Sequence, residues 1–289
     1  MSASASDTGT EKGARCTFDS TGRRKISIAN RALATIVACK GSTPRKDPAK
    51  MLVYEDGRQS GSIGGGCTEA EVCREALLVM RIEKPKLLTF DLTEDDAEES
   101  GLLCGGVMEV YVEPILPDPV LYVFGAGHVG QCVAQVARSI GFKIAVVDDR
   151  IKYANRERFP QADALYVDPW EEGFRKLPVN DSSYILIATR GHNFDLACLR
   201  FALHTPAKYI GLLGSRRKTK LLYEALEREG MDPANFERVY APVGIEIGSE
   251  TPEEIAISIA AELVAVKKNL QVRPLKESLR YLKPVATGR

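Results

Sequence analysis

The chain has 289 residues, 44% of them hydrophobic and 27% charged, with 39 basic and 39 acidic side chains. A length of this order predicts two domains, and the balanced charge disfavours a strongly basic nucleic-acid binder, an acidic-tail protein and a disordered chain. Neutrality is an average: residues 1–116 hold 15 basic and 18 acidic groups, residues 117–266 hold 17 and 20, and residues 267–289 hold seven and one.

In chain order, the polar opening MSASASDTGTEKGA lacks the apolar core of a secretory signal, and residues 1–25 read as a mobile arm. A first folded unit is expected over 26–116. RALATIVAC is apolar enough for a buried strand or a helix, and periodicity alone does not decide. MLVYEDGRQSGSI reads as two strands around the turn dipeptide Asp56-Gly57. Thr68–Arg81 reads as a helix with Glu69 and Glu71 in its first turn, where the dipole favours acids. KLLTFDL and VMEVYVEPI add strands, giving an α+β module, and the proline-rich PILPDPV reads as a linker.

A second domain is expected over 117–272, with a basic tail at 273–289. Strands VLYVFG, KIAVVDD, ADALYV, YILIATR and KYIGLLG alternate with helical stretches at His128–Ile140, Asp195–His204 and Ser215–Glu229, and Pro252–Lys268 closes the series behind a Thr251 cap. Strands alternating with helices argue for an α/β fold, a Rossmann-like doubly wound parallel sheet. No run approaches the roughly 18 apolar residues of a membrane span. Seven cysteines without a CxxC pair point to free thiols in a reducing, cytoplasmic setting and argue against a structural zinc site.

The sharpest motif is Gly125-Ala-Gly127-His128-Val-Gly130, between a strand and a helix. Such glycines permit a tight turn, close approach of a pyrophosphate and helix–strand packing, and the helix start offers free N–H groups to the anion. Asp148, at the end of the next strand, has the spacing of a ribose-diol acceptor. The plainer reading is a glycine turn kept for packing. In this topology the crevice lies between the first and fourth strands, so Arg190, ending YILIATR, and His192 just beyond it would face it beside His128. Arg190 could pair with a phosphate, and a histidine could donate to one or move protons; ordinary loop-end polar residues are the alternative. Ser215 can cap the next helix, and Arg216 with its neighbours opposes that helix's dipole, an arrangement that suits a bound anion as well as a solvated helix start.

In the first unit Gly64-Gly65-Gly66-Cys67 and Cys104-Gly105-Gly106 embed thiols in glycine. Cys67 falls at a helix start, a place that favours thiolate, although a free cysteine is more often a small hydrophobe. Arg45, in GSTPRK, offers a cation to a phosphate or merely to solvent. No catalytic constellation is apparent.

Together these residues resemble the xanthine dehydrogenase accessory factor (XdhC/CoxI) family. The matching segments are GSTPRKDPAKM, GSIGGGCTEAEV and LLCGG, then VFGAGHVG, VVDDR, ATRGHNFD, YIGLLGSRRK and PVGIEIGSETPEEIAISIAAEL, collinear over roughly residues 35–268. Pro48 departs from the pattern, which has a glycine there. The resemblance implies a cytoplasmic chaperone for the molybdenum cofactor, as molybdopterin or its dinucleotide form. It would bind the cofactor, support its sulfuration by a cysteine desulfurase, and deliver it to a molybdenum hydroxylase apoenzyme. Cys67 and Cys104 would then be candidates to contact the molybdenum, with the glycine-rich turn receiving the phosphate. Two other readings stand beside it: an NAD(P)-dependent oxidoreductase using Asp148, and a nucleotide-sensing module without a hydroxylase partner. A homodimer is expected, and no nucleic-acid or membrane partner.

Overall fold

Period-two burial decides the first ambiguous stretch. In the computed structural model RALATIVACKG is a strand in which Ala32, Ala34 and Ile36 are buried. The structure describes residues 15–18, 24–27, 30–41, 43, 48–91 and 106–271, and the chain divides into two compact units, Met1–Pro117 and Asp118–Arg289. Of the residues singled out above, Arg45 and Cys104 lie outside the described residues, as does the basic tail.

In the first unit, β1 (Arg15–Phe18) and β2 (Arg24–Ser27) pair antiparallel, across the end of the stretch 1–25 expected to be an arm. The strands β3 (Arg31–Gly41), β4 (Lys50–Tyr54), β5 (Gln59–Gly61), β6 (Lys86–Asp91) and β7 (Gly106–Ile115) form an antiparallel sheet in the order β5-β4-β3-β7-β6. A bulge between Ile36 and Ala38 breaks the alternation in β3 and turns Val37 outward, 53% exposed. The β4–β5 hairpin turns at Asp56-Gly57, where Gly57 takes φ +79° and the Asp56 carboxylate accepts from the Arg58 backbone N–H. Helix α1 (Gly66–Ile82) lays Val72, Ala76, Val79 and Met80 on Met51, Val53, Met108, Val110 and Val112 of the sheet. Those helix positions fall on one face at helical spacing, so one face of the sheet is covered.

The second unit is built on six parallel strands: β8 (Val120–Phe124), β9 (Lys143–Val147), β10 (Ala164–Tyr166), β11 (Ser183–Ile187), β12 (Tyr209–Leu212) and β13 (Val239–Tyr240), in the order β10-β9-β8-β11-β12-β13. Renumbered from β8 this is 3-2-1-4-5-6, the Rossmann order. The helices are α2 (His128–Ser139), α3 (Trp170–Lys176), α4 (His192–Leu203), α5 (Arg216–Arg228) and α6 (Pro252–Lys267), with a 3-10 turn at Pro233–Arg238. The unbroken apolar runs of β8 and β11 follow from burial on both faces. Leu121 and Val123 meet Val133, Ala137, Ile259 and Leu263 on one side, while Tyr122 and Phe124 meet Trp170, Leu199, Ala202 and Leu226 on the other. Because α2 and α4 leave adjacent strands β8 and β11 toward opposite faces, a crevice opens between their starts at the carboxyl edge.

Candidate functional site

The turn between β8 and α2 separates the three glycines by what each one does. Gly125 has φ +112°, and a Cβ there would overlap the carbonyl oxygen of Ala188, where β11 leaves the sheet. At Gly130 a Cβ would overlap the carbonyl oxygen of Gly125. Gly127 is different: its φ is −72°, and an added Cβ would meet no atom within 4 Å. Packing therefore demands the first and third glycines and not the second. The bare backbone of Gly127 faces open space, which is what close approach by an anion requires. The same holds at Gly191, which begins α4 with open space around its Cα. Neither helix start has a side-chain cap, and His128 and His192, the first residue of each helix, are exposed. Two neighbouring helix starts thus direct free N–H groups and positive dipole ends into the crevice.

Asp148, 1% exposed, lies at the back of this turn. Its Oδ2 accepts from Ala126 N–H at 2.8 Å and from Arg150 Nη2 at 2.9 Å; its Oδ1 accepts from Arg150 Nε at 2.8 Å and Arg150 N–H at 3.0 Å. Burial raises the Asp148 pKa, but the Arg150 side chain and the Ala126 and Arg150 N–H groups outweigh it, so the carboxyl titrates below its ordinary range. A folded pKa below the unfolded one stabilises the fold above the unfolded value, about 3.9, and that stability is lost as pH falls through the folded pKa. Trp170 is the only tryptophan of the chain and is buried in this unit, so its fluorescence reports the unit's unfolding. The urea midpoints of wild type and Asp148→Asn should be well separated at neutral pH and should converge as the pH drops below about 4.

Arg150 also stacks over the Tyr153 ring, 4.0 Å from its centroid. Asp149, the next acid, pairs with Arg190 at 2.8 Å, and Arg190 lies over the Phe194 ring at 4.5 Å. Behind the TRGH loop, Asp195 is completely buried; the Thr189 hydroxyl donates to its Oδ1 at 2.7 Å and Lys218 Nζ stands 2.5 Å from its Oδ2. Lys218 therefore has an internal counter-ion, which accounts for one of the three cations at the start of α5. Ser215 caps that helix, accepting from Lys218 N–H at 3.3 Å, and Arg216 beside it is exposed. The PVGIEIGSE segment passes the end of β12, with Val243 N–H on the Leu212 carbonyl and Gly244 N–H on Glu262. It then enters α6 through a Thr251–Glu254 capping box.

The second unit thus gathers Gly125, Gly127, His128, Gly130, Asp148, Arg190 and His192 around the crevice, with Ser215 and Arg216 at the next strand end. Sequence reasoning missed Asp149, Arg150, Asp195 and Lys218. All four stand in motifs quoted above, but partners 23 residues apart, such as Asp195 and Lys218, carry no local signal of their pairing.

In the first unit Cys67 is the second residue of α1 and exposed. The preceding Gly64, Gly65 and Gly66 take φ of +130°, +82° and +71°. Glu69 folds back over this loop: its carboxylate accepts from Gln59 Nε2 at 2.9 Å, Ser62 Oγ at 2.8 Å, Gly65 N–H at 3.0 Å and Ile63 N–H at 3.3 Å. An internal carboxylate thus occupies donors that an anion would use, so the loop presents a sulfur rather than a phosphate cradle. Burial raises the pKa of the Cys73, Cys132 and Cys198 thiols, most strongly for the buried Cys198, with Glu69, Glu253 and Asp195 adding to it respectively. Among the described residues no group of three or more His, Cys, Asp or Glu is placed to hold a metal ion, and no helix is long and apolar enough to cross a membrane.

Strand order, the glycine turn and the paired helix starts define the second unit as a Rossmann domain, joined in one chain to an antiparallel α+β unit with an exposed cysteine. Residues 121–263 match the XdhC Rossmann domain and residues 29–91 match the XdhC and CoxI family. The chain belongs to the XdhC and CoxI family.

It is 39% identical to the uncharacterised Escherichia coli protein YqeB over 82% of its own length, and it spans 44% of the length of that relative. It is 27% identical to a Bacillus subtilis protein named as a probable xanthine dehydrogenase component, covering 83% of this chain and 94% of that protein. It is 24% identical to the Escherichia coli molybdenum cofactor insertion chaperone PaoD, covering 81% and 83%. A solved structure named as a xanthine dehydrogenase from Bacillus halodurans aligns at 26% identity with a TM-score of 0.49, covering 86% of this chain and 95% of that one.

Proposed function

We propose that this protein is a cytoplasmic accessory factor that binds the molybdenum cofactor and delivers it to a xanthine dehydrogenase-type molybdenum hydroxylase. The observation that carries this reading is Gly127, bare where packing needs no glycine, with the uncapped starts of α2 and α4 beside it. The cofactor's phosphate or pyrophosphate fits such a cradle by charge and by reach. Arg190, His128 and His192 are the candidates to contact it, with Arg216 at the next strand end. The Cys67 sulfur suits a soft metal–sulfur centre. Cys104 and Arg45 are candidates for the same ligand from sequence alone. The names of the Bacillus subtilis and PaoD relatives support the role. Support of sulfuration by a cysteine desulfurase, and a homodimeric state, are part of the proposal.

When bound, the cofactor would supply the redox-active metal centre of the client hydroxylase; this chain's residues would bind and orient it. The test is retention. Protein mixed with purified cofactor and passed through gel filtration should carry molybdenum and pterin in equal amounts, and Cys67→Ala should weaken retention by about tenfold or more. Elution of the wild-type protein without either component would end the proposal.

An NAD(P)-dependent oxidoreductase is the second reading, favoured by the Rossmann strand order and the glycine turn. Against it, the Asp148 carboxylate is already engaged. Saturable nicotinamide binding by the folded wild type, with hydride transfer to a substrate, would favour this reading.

A further inference from the structure

Four donors converge on the Asp148 carboxylate, two at each oxygen: Ala126 N–H, Arg150 N–H, Arg150 Nε and Arg150 Nη2. A carboxylate oxygen has about two lone-pair sites, so this carboxylate has none to offer a ligand. In a dinucleotide site of this topology the acid at the end of the second strand receives the ribose hydroxyls. Here that place is closed by the protein itself, and Asp148 is only 1% exposed.

Asp149 is the one other acid on the same turn, and it is held by Arg190 at 2.8 Å while Arg150 Nε stands 3.9 Å from its other oxygen. The strand order gives this pair its meaning. β8 lies between β9 and β11, so an ion pair from the end of β9 to the end of β11 must cross the carboxyl end of β8, where Gly125 begins the turn. Arg190, 40% exposed, is thus held beside the phosphate cradle by an internal anion.

We propose that the crevice takes its ligand by phosphate exchange: an incoming phosphate takes Arg190 from Asp149, while Asp148, the acid at the diol position, has no lone pair left to read a ribose. This rests on the glycine turn being the phosphate site, as proposed above, and it adds the ligand class. The ligand is a phosphate or diphosphate ester, recognised at its phosphate and not through a ribose diol on Asp148. Asp149 acts as the displaced counter-anion that keeps capture reversible, which suits a protein that must hand its ligand on.

Calorimetric titration with ADP, 2′,3′-dideoxy-ADP and inorganic pyrophosphate tests this. ADP and its dideoxy form should bind within about twofold of each other, whereas a site that pairs with the diol loses far more, about tenfold or beyond, when the hydroxyls are absent. Asp149→Asn should tighten pyrophosphate binding by about threefold to tenfold, and Arg190→Met should weaken it. The double variant should bind no better than Arg190→Met, because the gain requires the freed arginine. Trp170 fluorescence confirms that each variant is folded.

A tenfold preference for ADP over the dideoxy form overturns the inference and leaves the phosphate site standing. A gain from Asp149→Asn that persists without Arg190 also overturns it, by reducing Asp149 to a general repulsive charge. If neither nucleotide nor pyrophosphate binds the folded wild type, the phosphate-site reading falls and the inference with it.

Discussion

Gly125→Ala and Gly130→Ala should each destabilise the Rossmann unit by about 2–5 kcal/mol, while Gly127→Ala, at the N-cap of α2, should cost no more than about 1 kcal/mol. The contrast follows from what surrounds each Cα. A methyl at Gly125 must share space with the Ala188 carbonyl and keep φ at +112°. A methyl at Gly130 must share space with the Gly125 carbonyl. In both cases the obstacle is backbone, held by parallel pairing of β8 with β11 and by the turn itself, so no side chain can move aside. At Gly127 there is neither an obstacle within 4 Å nor a left-handed φ. Urea denaturation followed by Trp170 fluorescence checks the three values. Pyrophosphate titration of folded Gly127→Ala checks the other half: the added methyl should obstruct the anion and lower affinity by about tenfold or more. Were Gly127→Ala to bind as wild type does, the middle glycine would have no ligand-related role.

Lys218→Met should cost about 3–5 kcal/mol. Asp195 is completely buried, and Lys218 Nζ, on a side chain 20% exposed, is the cation beside it. Methionine keeps most of the apolar stem and removes the charge, so the loss comes mainly from stranding a carboxylate in the interior. Exposed ion pairs in this protein, such as Arg200–Glu229, should cost no more than about 1 kcal/mol when broken, because water replaces the lost partner. A deficit of that smaller size for Lys218→Met would mean that solvent reaches Asp195. Combining Lys218→Met with Asp195→Asn should recover part of the loss, since the buried charge is then gone. The Thr189–Asp195 contact ties this pair to the loop that bears Arg190 and His192, so the single variant should also weaken pyrophosphate binding.

The second unit was the more legible in sequence because its signals are local and repeated. Apolar runs doubly buried in β8 and β11, glycines at fixed offsets and the Thr251–Glu254 box each act within a few residues. Given the strand order, right-handed crossovers put the helices before and after its reversal on opposite faces of the sheet. Boundaries moved where tertiary contacts intervened: α4 begins at His192 rather than Asp195, because Gly191 starts the helix and Asp195 is drawn inward to Thr189 and Lys218. The 3-10 turn and two-residue β13 were not foreseen, being too short to carry a periodic pattern. RALATIVAC stayed ambiguous because alanines suit either element, and only pairing with β4 and β7 makes it a strand.

The sequence by itself determined a doubly wound parallel sheet with a glycine turn at its switch point, preceded by a segment whose cysteines are set in glycine. These follow from short-range chemistry: backbone freedom, helix capping and the two hydrophobic periods. Balanced charge likewise told only that the chain as a whole is not overwhelmingly basic. The tertiary structure alone decided how the charges are spent. Asp148 looked like a free acceptor at the right spacing, yet Arg150 and Ala126 fill it; the cations opening α5 looked uncompensated, yet Lys218 rests on Asp195; Glu69 looked like a dipole-complementing surface acid, yet it organises the loop that presents Cys67. Each outcome depends on hydrogen bonds set by three-dimensional approach, some between residues more than 20 positions apart. Sequence spacing can propose such a partner, but only the folded chain shows which group arrives first.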